Sequence, residues 1–106
     1  MALDAVLGDL KQVRGVALCS EAGEALESAG ELDTDTLCAV ASVSATQLRN
    51  IGDLLAAGVL ERWYLVTEHQ AYYVSERSFE PRRLVAVGES VKSPEATSKA
   101  LHKAAR

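Results

Sequence analysis

Gly15-Val16-Ala17-Leu18-Cys19-Ser20-Glu21-Ala22-Gly23-Glu24 is the stretch on which the fold turns. Val16 to Cys19 are apolar in unbroken succession, without the in-out alternation of a half-exposed strand, so this strand is covered on both faces and is central in its sheet. Glu21-Ala22-Gly23-Glu24 then reads as a tight turn, because glycine reaches the positive φ that a hairpin needs at low cost. Ala25 to Ala29 returns as a second strand. It is short and carries Glu27 and Ser28, which suits an edge that must not recruit another strand.

Working outward, Asp33 or Thr34 caps a long helix running to about Ala57, and Asp35 favours the positive end of its dipole. Gly58 follows as the expected left-handed terminator. Leu37, Ala41, Ser44, Leu48, Ile51 and Leu55 advance by fours and threes and line one face. The opposite face carries Ala39, Ser42, Thr46, Arg49, Asn50 and Asp53, small or polar residues that either allow another backbone to come close or are simply solvated. Gly52 costs about 1 kcal/mol against alanine inside a helix and favours the close approach.

Val59 to Glu68 is dense in aromatic and branched residues and reads as a strand. A turn near His69-Gln70 leads into Ala71 to Ser75, and Pro81, which cannot donate to a ladder, belongs to the connection before Arg83 to Gly88. Upstream, Leu3, Val6, Leu7 and Leu10 give a first helix from about Ala2 to Gln12. Ser93-Pro94-Glu95 opens a last helix, which His102, Lys103 and Arg106 close with the favourable sign for its dipole. The order is helix, hairpin, long helix, three-strand meander, helix.

Bulk properties narrow the function. The 106 residues suit one domain, 1–106, and nearly half are hydrophobic, an ordinary globular composition. A net charge of -4 opposes nucleic-acid binding, which needs clustered cations. No apolar run approaches the roughly 20 residues of a membrane span, and Asp4 and Asp9 stand where a signal peptide would be basic and apolar. Cys19 and Cys38 form no CxxC and have no histidine nearby, so they read as reduced, buried thiols of a cytoplasmic protein.

No catalytic constellation is visible. His69 lies in a turn, His102 lies in the last helix, and neither is close in sequence to Cys19 or Cys38. Glu21, Glu24 and Glu27 sit in or beside an exposed turn, where carboxyls stay solvated instead of acquiring raised pKa values. No glycine cradle for a nucleotide is present, and no cofactor or metal is implied. Arg49 on the outward helix face could be offered to a partner's transferring phosphate, or could pair locally with Asp53.

If the first strand is central and the meander joins it through Arg83 to Gly88, the free edges are the second and third strands. Between Trp63 and Thr67 the third has no Lys, Pro or Gly to discourage pairing. A symmetric dimer through Arg62, Trp63, Tyr64, Leu65, Val66 and Thr67 would remove that hazard by joining two copies into one sheet.

This element order, with Gly15 to Glu24 as its best local match, resembles the roadblock/LC7 family, which includes dynein light chains of that type and the bacterial MglB-type regulators of Ras-like GTPases. The resemblance covers almost the whole chain. It implies an α+β fold, a five-stranded antiparallel sheet with the long helix on one face and the terminal helices on the other. It also implies homodimerisation through the third strand and the long helix. The implied function is non-enzymatic: a regulator or scaffold that docks a small Ras-like GTPase, with Ser42, Thr46, Arg49, Asn50 and Asp53 as the helix face offered to it. A profilin- or GAF-like module sensing a ligand, or redox state through Cys19 and Cys38, is the alternative.

Overall fold

The computed structural model describes residues 3–10, 12–76, 82–90 and 93–104. Ala2, Pro81 and Arg106, to which the sequence reading assigns a helix start, a connection and a helix end, lie outside the described residues. Within them the chain runs α1 (Leu3–Asp9), β1 (Val13–Ser20), β2 (Ala25–Gly30), α2 (Thr34–Leu54), β3 (Arg62–Val66), β4 (Gln70–Glu76), β5 (Arg82–Glu89) and α3 (Pro94–Ala104). The strands form one antiparallel sheet in the order β2-β1-β5-β4-β3. The expected architecture, element order and edge strands are those observed.

Alternation along the central strands sorts the core into two layers. Val16 and Leu18 of β1, Ala71 and Tyr73 of β4, and Leu84 and Ala86 of β5 face α1 and α3, meeting Leu3, Val6, Leu10 and Leu101. Ala17, Cys19, Val74 and Val85 point the other way and meet Cys38 and Ala41 of α2. Burial of each large side chain in such a layer contributes about 1.5–3 kcal/mol. Gly23 turns the hairpin at φ +92°, and the Ser20 amide donates to the Glu24 carbonyl at 2.8 Å.

Several element boundaries differ from the sequence reading. Gln12 lies outside α1 and adopts φ +70°. The third strand begins at Arg62 instead of Val59, and Thr67 belongs to the turn after it: its backbone N–H donates to the Gln70 carbonyl at 2.8 Å, and its hydroxyl accepts from the Gln70 amide. The long helix stops at Leu54, with Ala56 in the left-handed position at φ +51°. The Ala57 amide reaches back to the Gly52 carbonyl and the Ala56 amide to the Asp53 carbonyl, a Schellman closure in which alanine takes the place expected of Gly58.

Cys19 and Cys38 are joined in a disulfide, which corrects the reading of two reduced thiols. The cause is parity. Alternation in β1 turns Cys19 towards α2, and Cys38 lies on the inner side of that helix one turn after its start. The two Cα atoms come within 5.5 Å, inside the range a disulfide spans.

Candidate interaction surface

The site is built from an unpaired edge and a half-covered face. β3 pairs with β4 on one side, and its other edge ends the sheet. Along it Tyr64, Leu65 and Val66 are exposed, Leu65 by 53%. Arg62 is held back by α3, donating to Ser98 Oγ at 3.1 Å and pairing with Glu95 at 2.8 Å. The Arg62 guanidinium, through its hydrogen bond and its charge, holds the Glu95 carboxyl below its ordinary value. Tyr73 lies behind Tyr64 with ring centroids 6.4 Å apart, and burial raises its phenol.

On the opposite face, α2 rests chiefly on β1, β2 and β5. The half of the sheet formed by β3 and β4 is left beneath an open groove of about 500 Å³, walled by Leu37 and Val40 of the helix and by Trp63, Leu65, Tyr72 and Val74 of the strands. Trp63 is half-buried there, and its buried indole N–H finds no hydrogen-bond partner among the described residues.

The exposed apolar residues of α2 were placed differently by periodicity. Ile51 and Leu55, which periodicity puts on one face with Leu37 and Ala41, are open to solvent, as are Val40, Val43 and Leu54, the last by 88%. What is buried is small: Cys38, Ala41 and Ala45. The signal available in sequence was that apolar side chains occupy more than one face of this helix, wider than one sheet face can cover.

The small-and-polar face has two fates. Ser42 is half-buried, and its hydroxyl donates to the Glu21 carbonyl at 2.9 Å. A Cβ on Gly23 would stand 3.1 Å from Ser42 Cβ and 3.3 Å from Ala39 Cα, so the backbone that comes close here is the chain's own hairpin. Gly52 needs no such room, because an added Cβ would meet only the Gly58 carbonyl at 3.7 Å. Thr46, Arg49, Asn50 and Asp53 remain exposed, and Arg49 and Asp53 border a shallow depression with Gly58 and Val59.

Of the histidines, His69 is exposed beside Glu68, as a turn residue should be. His102 Nδ1 lies 2.6 Å from Ser75 Oγ, a contact that sequence separation hid. Ser75 is fully buried between β4 and α3, so the pair fastens a helix and offers no open nucleophile. Among the described residues no cluster of three or more His, Cys, Asp or Glu is placed to hold a metal, and no helix is long and apolar enough to cross a membrane.

Solved structures with this fold are found at low sequence identity. A roadblock/LC7 domain from Streptomyces avermitilis superposes with TM-score 0.81 at 13% identity, covering 95% of this chain and 86% of its own. MglB in a tetrameric arrangement gives 0.81 at 22%, covering 97% and 78%. The gliding protein MglB of Thermus thermophilus gives 0.74 at 21%, covering 97% and 84%. No protein-family model and no curated protein sequence matches the chain.

Proposed function

We propose that this chain, whose fold is that of the roadblock/LC7 domain, is a single-domain, non-enzymatic regulator or scaffold that acts in the cytoplasm as a homodimer and docks a small Ras-like GTPase. The observation that carries the reading is the coincidence of an open β3 edge with a groove over the same half of the sheet. Pairing two β3 edges antiparallel across a two-fold axis satisfies both rows of backbone groups at once. It also sets the α2 helices side by side, each bringing exposed Val40, Ile51 and Leu55 towards the other's groove. Trp63 and Leu65 would then lie beneath a second helix.

The outward residues of α2, with Thr46, Arg49, Asn50 and Asp53, remain available on that dimer as the docking platform. A GTPase as the partner is supported by the likeness to MglB structures and by the resemblance of Gly15 to Glu24. Light scattering at micromolar concentration is expected to return a dimer mass, and a monomer would remove the reading. Capture of a GTPase encoded beside the gene, loaded with GTP and with GDP, tests the partner; absence of binding in both forms counts against it. Single-turnover hydrolysis with the captured GTPase then separates stimulation from scaffolding.

A further inference from the structure

We infer that the Cys19–Cys38 disulfide is a redox clasp whose reduction releases α2 from the sheet while the sheet stays folded. The helix is long but weakly held. Of its 21 residues only Cys38, Ala41 and Ala45 are buried, and none is buried from Thr46 to Leu54. Its interior is rich in poor helix formers, Thr36, Val40, Ser42, Val43, Ser44, Thr46, Asn50, Ile51 and Gly52, so propensity does little to keep it wound. Beyond those three small side chains, the helix is attached by the partly buried Leu37, by the Ser42 hydroxyl on the Glu21 carbonyl and by the covalent bond from Cys38 to β1.

The sheet does not depend on that bond in the same way. β1 is paired with β5 from Val13 to Ser20 and with β2 from Gly15 to Cys19, and its other face packs on α1 and Leu84. Opening the clasp therefore loosens one side of the molecule. Both cysteines are fully buried, so a reductant reaches them only when α2 lifts locally, which protects the bond from brief encounters. In cytosolic proteins, among which the proposed function puts this chain, such bonds are usually transient and either catalytic or redox-sensing.

The co-reactant is a dithiol. Its thiolate attacks one sulfur of the disulfide to give a mixed disulfide, and its second thiol displaces the protein sulfur. Two electrons and two protons end on Cys19 and Cys38, and the dithiol leaves as its own disulfide. Because α2 carries the groove wall and the exposed apolar residues, the redox state would govern the surface proposed for docking. The clasp itself is independent of whether that docking occurs.

Hydrogen exchange of the full chain, read by mass spectrometry before and after dithiothreitol, tests it. On reduction the amides of residues 38–54 are expected to exchange at least tenfold faster while those of β1, β4 and β5 keep their rates. A Cys19→Ala/Cys38→Ala variant should match the reduced protein and ignore dithiothreitol. Unchanged α2 exchange in protein whose mass gains two hydrogens overturns the proposal, as does simultaneous loss of protection in sheet and helix. Two free thiols persisting after exposure to glutathione disulfide would overturn it equally, and both wild-type measurements stand if the variant fails to fold.

Discussion

The Ser42 hydroxyl donates to the Glu21 carbonyl at 2.9 Å, so the β1–β2 turn rests on the flank of α2 and the two are positioned together. Ser42→Ala removes one hydrogen bond and should cost about 1 kcal/mol. Gly23→Ala acts on the other side of the same contact. It puts a side chain at φ +92° and 3.1 Å from Ser42 Cβ, and should cost about 2 kcal/mol. Urea denaturation of both variants checks the order, with Gly23→Ala the more damaging.

The end of α2 predicts two substitutions that stabilise. Ala56 occupies the left-handed position, φ +51°, where glycine avoids a penalty of about 1–2 kcal/mol and gives back part of it in unfolded-state entropy. Ala56→Gly should therefore gain about 0.5–1 kcal/mol. Gly52→Ala should gain about 1 kcal/mol, since its new Cβ makes only an ordinary contact. Thermal melting of the two single variants checks both signs.

These two residues also mark how far sequence carries the fold. Val16 to Cys19 announced a strand covered on both faces, and the sheet order followed from it. The helix end was misplaced because the Schellman hydrogen bonds outweigh the preference of alanine against positive φ, and Gly58 offered a decoy two residues on. The open edge at Trp63 to Val66 was legible because nothing there discourages pairing. The disulfide was not, since sequence alone does not reveal which face of β1 meets α2, and the Ser75–His102 contact joins elements 27 residues apart.

Arg83 should be the most sensitive polar position. It is 3% exposed, its Nε donates to Glu76 at 2.8 Å, and it reaches the Ser20 and Glu21 carbonyls at 3.3 Å. Arg83→Met leaves the nearly buried Glu76 carboxylate unpaired and should cost about 3–5 kcal/mol. Adding Glu76→Leu removes the stranded charge, so the double variant should recover much of the loss. A double variant no more stable than Arg83→Met would show that the carbonyl contacts dominate.

Acid should weaken the α3–β3 seam. Arg62 lowers the folded-state pKa of Glu95 below its unfolded value, so the pair's contribution is fully present above the ordinary glutamate value and is lost as pH falls through the lower, folded one. Both side chains are partly exposed, so the effect is small and weakens with salt. Melting curves of the wild type and Glu95→Gln, taken from neutral pH to about pH 2, should differ at neutrality and converge in acid.

The edge itself offers a substitution that separates fold from assembly. Leu65 points to the groove side of β3 and is more than half exposed in the single chain, so Leu65→Lys removes little buried area and should change the stability of an isolated copy by less than about 0.5 kcal/mol. In the proposed dimer the same position lies beneath the second α2, where an unpaired ammonium is costly. Light scattering should then give a monomer mass for Leu65→Lys with an unchanged far-ultraviolet circular dichroism spectrum. If the variant keeps the wild-type dimer mass, β3 is not the contact, and the exposed apolar ridge of α2 would have to join the two copies without it.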